Sequence, residues 1–520
     1  MKGKLTIIIV WLLTLLPVVV SAQTYYFNNR YELTPYQSWD FASTILQCPE
    51  KYVIYGESGG NFGWRTIVLK QLDLDGIEAG ITMIGDTLSE WSIGYPGSLL
   101  KSPNGTYFST GFHRNYTTNW VHDRGLLCKF DENFDTLWTK EYGEKAAPFD
   151  TSYIFRNICF DESNGIAITG SWGEYSTGIM NAHAYLLKTD TSGNKLWEHV
   201  YTNLPGDVQG YSVISTTDGG YAIGAFQYYH VPPPNETGDP IVIKTDSLGN
   251  FQWMRNLGGE LMDTHAMLAN STDGNILVIS AYSDSVSGGD EWAKKIHLTK
   301  LTNDNQVIFD RKYNRKIYML FTHTVHCNPD GSIICSGSTG TTLSDYPFTV
   351  GWVMKMDSNG DSLWYREYNK VGRPNSFSSN VLYNVIPTTD NGYIACGYVH
   401  PVLPDTGTQD VWVVKVDSLG CESPSYCWVG VKELPAAPKL GELIVFPNPA
   451  EEVITVQFQQ IYKKSVLQFV DITGRKVEEI SILPSETMQA INCAHWPHGI
   501  YLGQLVSDGK IVARGKVLVR

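Results

Sequence analysis

The sequence predicts an all-β chain: a seven-bladed β-propeller followed by a small C-terminal β-sandwich. Three observations predict it. The first is a repeat: Lys-x-Asp, a turn, an aromatic nine residues after the Lys and usually another four later. It occurs at Lys129/Trp138/Tyr142, Lys188/Trp197/Tyr201, Lys244/Trp253/Leu257, Lys300/Phe309/Tyr313 and Lys355/Trp364/Tyr368, with Leu257 replacing a second aromatic, Thr302 replacing an Asp, and a half-copy at Lys415 and Asp417. Successive Lys positions lie 59, 56, 56, 55 and 60 residues apart, the period of a repeated supersecondary unit. The second is a hairpin signal in each unit, such as Asp218-Gly219-Gly220, Asp273-Gly274 or Asp330-Gly331, flanked by short apolar runs. The third is the loss of the repeat after residue 423, where a Pro-containing stretch leads into strand-like alternation.

One unit is expected to hold strand a (residues 211–215), an Asp-Gly-Gly turn, strand b (221–226), a loop, strand c (241–244), a Gly turn and strand d (251–257). Four short strands per repeat is the pattern of a propeller blade. Reading strand d as a helix fails on length, because each run is about eight residues and bounded by turn residues.

At the start, Met1-Lys2-Gly3-Lys4 is basic, residues 5–20 are largely apolar, and Ser21-Ala22 follows. This is the pattern of a secretory signal peptide cleaved between Ala22 and Gln23. The run contains Pro17 and falls short of the roughly twenty residues a membrane span needs. No membrane span is expected in the mature chain.

Phe27 and Tyr31 repeat the strand-d spacing, whereas the last repeat runs into Gly420-Cys421 without a strand d of its own. An N-terminal strand completing the last blade would close the ring and leave no free sheet edge. The first repeat is degenerate: residues 69–73 are recognisable, but the Trp slot falls near Gly80. Counting it gives seven blades, with six or eight as the alternatives. The propeller is expected over residues 23–427, a linker over 428–442 and the terminal domain over 443–520.

Strand connectivity assigns faces. The a–b and c–d turns share one face, and the b–c and d–a connections the other. The b–c connections are expected to be long loops, at residues 112–123, 171–182, 227–240, 281–291, 338–347 and 399–409. Variable loops on one rim are where a rigid scaffold carries function. They hold His113, Trp120, Trp172, Tyr228, Tyr229 and His230, the candidate ligand-binding residues. Their aromatic rings either stack on sugars or peptides or pack against neighbouring loops.

The formal charge of −14 speaks against nucleic acid or an anionic membrane as partner. No Gly-x-Ser-x-Gly elbow, His-Glu-x-x-His or phosphate-binding Gly loop is present. His323-x-x-His326 is a weak metal signal, since that spacing on a regular strand sends the rings to opposite faces. The Asp-rich turns lack the spaced ligands of a calcium loop. No cofactor and no metal site is expected. Of nine cysteines, Cys421 and Cys427 flank a short loop suited to a disulfide in an exported chain. Cys48, Cys128, Cys159, Cys327, Cys335 and Cys396 are expected to be buried thiols.

The tail carries Pro447-Asn448-Pro449, then Asp471-Ile472-Thr473-Gly474-Arg475, Gly499-Ile500-Tyr501 and a basic last strand with Lys516. It resembles the type A C-terminal sorting domain of the type IX secretion system, with these landmarks in order. The resemblance implies a small β-sandwich recognised by that machinery and its sorting-domain peptidase. It also implies delivery of the body to the cell surface or medium of a Gram-negative bacterium, across the outer membrane. The repeats are similar to those of large secreted propeller proteins of such bacteria, a likeness of architecture alone. Asp246/Gly249/Trp253 and Asp357/Gly360/Trp364 resemble the Asp-box of sialidase propellers with each interval one residue longer. Recurrence in blade after blade makes the motif structural.

The expected role is a non-catalytic surface or secreted binding scaffold, with a glycan or a surface protein as ligand. The alternative is a carbohydrate-active hydrolase with catalytic carboxylates on propeller loops.

Overall fold

The computed structural model describes residues 26–35, 39–59, 64–86, 88–116, 121–143, 151–176, 179–229, 237–283, 293–340, 349–371, 378–402, 407–422, 441–458, 465–484, 486–507 and 510–520. They fall into two compact units, Met1–Trp428 and Val429–Arg520.

The first unit is a propeller-like succession of antiparallel sheets. In the fourth repeat, Asp207–Ser215, Tyr221–Tyr229, Thr237–Thr245 and Phe251–Asn256 pair in chain order. The first repeat does the same with Trp39–Cys48, Lys51–Gly59, Arg65–Asp73 and Glu78–Ile84. So does the third, with Thr151–Phe160, Ile166–Ser176, Ile179–Thr189 and Lys195–Val200. The second repeat has a broken first strand, Glu90–Ile93 and Leu99–Lys101, both paired with Tyr107–Tyr116. The fifth and sixth share one seven-stranded sheet because Val307–Cys327 runs from one into the next. The final sheet takes Ser379–Pro387, Tyr393–His400 and Asp410–Val416, and its fourth strand is Phe27–Tyr31, with Phe27 opposite Lys415.

The repeated residues explain the stacking. Each strand-d aromatic lies on the c–d turn of the following sheet. A Cβ on Gly193 would lie 2.8 Å from the Trp138 ring, and one on Gly249 2.7 Å from Trp197. The second aromatic donates its hydroxyl to the same glycine carbonyl: Tyr142 to Gly193 at 2.7 Å, Tyr201 to Gly249 at 2.9 Å, Tyr368 to Gly420 at 2.8 Å. Tyr31 makes this bond to Gly76 of the first sheet at 2.7 Å, and Phe27 lies against the same glycine. Most c–d turns are tied by a leading Asp, whose Oδ1 accepts the amides two and four residues on; in the fifth repeat Thr302 takes its place and accepts the Gln306 amide. Asp190 with Ser192 and Asn194, and Asp357 with Asn359 and Asp361, show the pattern.

The repeated Lys is an internal tie. Lys244, Lys300 and Lys415 reach back to Asp218, Asp273 and Asp390 of their own a–b turns at 2.7–2.8 Å, and Lys188 pairs with Asp161. Lys244 and Lys415 are fully buried, a position a lysine holds only when paired.

The degenerate first repeat is compensated from its neighbour. Gln71 and Gly80 face each other where the other sheets pair Lys with Trp or Phe. The missing ring is supplied by Phe134, which occupies the turn-glycine position of the second sheet at φ 69°. Phe134 is fully buried, 4.2 Å from the Tyr107 ring, with the Lys51 ammonium 5.2 Å away.

The cores lie between consecutive sheets. One joins Ala184 and Leu186 of the third repeat to Val208, Ile223 and Ile241 of the fourth. Another joins Ile45 and Ile54 of the first repeat to Ile394, Val411 and Val413 of the last.

Several expected b–c loops are instead strands. Ile166–Ser176 and Ile179–Thr189 pair out to Ser176 opposite Ile179, and Tyr221–Tyr229 pairs with Thr237–Thr245 out to Tyr229. Aromatic and β-branched residues keep alternating through these stretches, so the hairpin arms extend the sheet instead of leaving it. Residues 117–120, 177–178, 230–236, 284–292, 341–348 and 403–406 of these connections lie outside the described residues. So do the leader, with Ala22 and Gln23, and most of the linker.

In the second unit, a five-stranded sheet and a three-stranded sheet share one core that includes Phe469, Trp496 and Tyr501. Asn448, between cis Pro447 and cis Pro449, bonds the last strand: its Nδ2 donates to the Lys516 carbonyl, and its Oδ1 accepts the Leu518 amide, each at 2.9 Å. Asp471 ties the Gly474 turn by accepting the Thr473 and Arg475 amides. Gly499 opens the strand Gly499–Ser507, and Tyr501 donates to the Pro497 carbonyl.

Candidate functional site

The innermost strands carry a feature absent from the sequence reading. Their pairing slips by one residue at Ser43, Arg156, Tyr211, His323 and Tyr383. A bulge of this kind re-aims the extra side chain. The partner strand accommodates it with glycine: a Cβ on Gly170, Gly337 or Gly397 would lie 1.9 Å from the carbonyl oxygen of Ile154, Phe321 or Val381. In the second repeat, the excursion Gly94–Ser98 breaks the strand and presents Tyr95. In the fifth, His265 lies between the Thr264 and Ala266 amides, which bond Ala281 and Ala225.

These residues meet. Tyr211 stacks on His265 at 4.4 Å, and Tyr95 sets its edge against both, at 4.7 and 5.3 Å. His265 and His323 are 6.4 Å apart, and His323 lies 4.5 Å from Tyr383. The Arg156 guanidinium covers Tyr211 at 4.7 Å. One side chain per repeat thus builds a collar. Tyr95, from the second repeat, touches residues of the fourth and fifth.

The next residues along these strands form a polar girdle linking sheet to sheet. Asn157 donates to the Pro96 carbonyl at 2.7 Å and accepts the Val213 amide at 2.9 Å. Ser212 accepts the Leu268 amide, Asn384 the Ile45 amide, and Thr44 the Gly97 amide. On the a–b turn side of the collar lies a cavity of about 330 Å³, lined by residues of every repeat, among them Thr44, Asn157, Ser212, Met267, Thr324 and Asn384.

Burial dominates the electrostatics. It drives the His265 and His323 imidazoles down to about 3, the charges of Arg156 and Lys294 adding to the effect at His265. Both rings are therefore neutral at pH 7. Burial likewise pushes the Tyr95 and Tyr383 hydroxyls up. His265 Nε2 and His323 Nδ1 have no hydrogen-bond partner among the described residues.

The bulge at His323 inserts a residue, so that His323 enters the collar and His326 lines the cavity. Among the described residues, no three His, Cys, Asp or Glu side chains converge as metal ligands.

The residues singled out from sequence lie elsewhere. Trp172 is on the arm Ile166–Ser176, stacked on His183 at 5.9 Å. Tyr228 and Tyr229 end the arm Tyr221–Tyr229, where Tyr229 donates to Gln227 at 2.9 Å. His113 is a buried strand residue, stacked on Trp91 at 4.1 Å with Nδ1 2.6 Å from Glu141. Trp120 and His230 lie outside the described residues. Cys421 is disulfide-bonded, and its expected partner Cys427 is outside them. Cys48, Cys128, Cys335 and Cys396 are buried free thiols, whereas Cys159 and Cys327 are half-buried. Glycine recurring in strand b, as in Gly56, Gly170, Gly337 and Gly397, is the signal that would have located the bulges.

Residues 444–520 match the family model of the secretion system C-terminal sorting domain. The tail is a sorting domain. It marks the chain for export by the type IX secretion system to the cell surface or medium. No curated protein matches the chain. Among solved structures it is similar to an ulvan lyase from a new family of polysaccharide lyases, with 10% identity over 77% of this chain and 95% of that one and a TM-score of 0.44. It is also similar to a fungal alcohol oxidase in complex with copper, with 10% identity over 95% and 99% of the two chains and a TM-score of 0.42. A Penicillium chrysogenum α-L-arabinanase gives 9% identity over 64% and 97%, with a TM-score of 0.40. Likenesses this distant fix neither activity nor substrate. No helix among the described residues is long and apolar enough to cross a membrane.

Proposed function

We propose that the chain is an exported binding protein, a closed seven-bladed propeller whose ligand site is the axial collar. The observation that carries this is the bulge recurring in five of the first strands, which together with Tyr95 and His265 brings side chains of successive repeats to one place. A scaffold needs no such irregularity for stability, because bulges cost ladder hydrogen bonds and cluster beside functional sites. Closure is supported by Phe27 and Tyr31 repeating, against Gly76, the contact that Trp138/Tyr142, Trp197/Tyr201, Phe309/Tyr313 and Trp364/Tyr368 make with Gly193, Gly249, Gly360 and Gly420. Trp172, Tyr228 and Tyr229 on the hairpin arms would extend the site outward. The leader would be removed after Ala22, and Cys427 would pair with Cys421.

The role is binding without turnover. Glycoside hydrolysis uses two carboxylates flanking the bond, and the described collar holds Tyr, His, Arg and Ser. A glycan array on the secreted protein, run beside a reducing-sugar release assay, tests the reading. Binding with no release is the expected result; turnover would replace it with the hydrolase.

A further inference from the structure

The ligand's chemistry follows from the one charge in the collar, given the axial site proposed above. Arg156 donates through Nη2 to Gln209 Oε1 at 2.9 Å and through Nη1 to the Ser171 hydroxyl and, at 3.4 Å, to the Gly210 carbonyl. Its face covers the Tyr211 ring. All these partners are neutral, and no carboxylate pairs with Arg156 among the described residues. A half-buried guanidinium held by neutral groups has no counter-charge among the described residues, and an anionic ligand would supply one.

The groups around it point the same way. His323 is 6% exposed, and its Nδ1 has no partner among the described residues; His265 Nε2 is in the same state. His265 as a whole is half-buried. A neutral imidazole offers one donor and one acceptor, and a phenol hydroxyl offers both. Such groups suit the hydroxyls of a sugar ring, and the Tyr95 and Tyr383 rings suit its C–H face. The Arg fork suits an oxyanion, which it grips through paired N–H bonds.

We propose that the collar binds an acidic sugar, its carboxylate or sulfate group on Arg156 and its ring among Tyr95, Tyr211, His265 and His323. Calorimetric titration of the full secreted chain tests this with four probes: oligogalacturonate, its carboxyl-reduced counterpart, a sulfated galactan oligosaccharide and its desulfated counterpart. One acidic member should bind at least about ten-fold tighter than its neutral counterpart, and which one identifies the acid group. Raising the salt should narrow the gap. Arg156→Gln should erase the preference, and Arg156→Lys should keep part of it because the charge survives without the fork. Melting curves identify a misfolded variant, in which case His323→Asn, expected to weaken both members of the pair, carries the test. Equal affinity for acidic and neutral members, or a preference surviving Arg156→Gln in a folded protein, overturns the proposal. Should neutral sugars bind and Tyr211→Ala abolish it, the acid group is wrong and the axial site stands. If none of the four binds while an acidic peptide does, the sugar class is wrong.

Discussion

The Lys–Asp ties rest on a balance that single substitutions expose. Lys415 is buried, and Asp390 is its carboxylate partner at 2.8 Å. Asp390→Ala leaves a buried cation unpaired and should cost about 3 kcal/mol, whereas Lys415→Met removes the charge and should cost under about 1.5 kcal/mol. Urea denaturation of the two variants measures the difference. The pairs also set an acid limit. Burial raises the Asp161 carboxyl, but hydrogen bonds from Lys188, Ser163 and Tyr221 outweigh it and hold the group at about 2, below its ordinary 3.8. A depressed carboxyl contributes stability that is full above the unfolded value and fades as pH falls through the folded one. Melting temperature should therefore hold down to about pH 4 and drop between roughly pH 4 and 2. These residues were legible in sequence because the period repeats them. What was not legible was the partner of each Lys, since the Asp belongs to a different motif 25 to 27 residues earlier.

At the scale of the element, the strands were foreseen where turn chemistry brackets them and misread where it does not. Residues 171–182 contain Gly, Ser and Thr, which suggested a loop, yet the pairing continues through them to the tip. The collar was missed for a related reason. A bulge breaks the period of two that marks which side chains share a face, so Arg156, Tyr211 and His323 gave no pattern along their own strands. Their trace is in the opposite strand. Gly337 faces Thr322, and a Cβ there would meet the Phe321 carbonyl at 1.9 Å. Gly337→Val should thus cost over about 3 kcal/mol or prevent folding. Gly105→Ala, at φ 89° with open space around it, should cost only about 1 kcal/mol. Chemical denaturation ranks the two; equal effects would show that the glycine is not what accommodates the bulge.

For the molecule as a whole, architecture and export were readable because both rest on local motifs repeated or ordered along the chain. The candidate site was not, because the collar assembles from residues up to 340 positions apart. Ring closure makes its own prediction. Deleting residues 25–32 removes the outer strand of the last sheet together with the Tyr31–Gly76 bond, and should lower the melting temperature by several degrees or more. An unchanged melting temperature would mean that the ring does not depend on its N-terminus. The axial site itself is tested most directly by comparing two variants against the strongest binder from the glycan array. One carries Tyr211→Ala, His323→Ala and Tyr383→Ala in the collar; the other carries Asp246→Ala in a c–d turn, remote from it. With both folded by melting curve, the collar variant should lose binding by about a hundred-fold or more, and Asp246→Ala should bind as the parent does. A collar variant that keeps its affinity, or equal loss in both, would contradict the account.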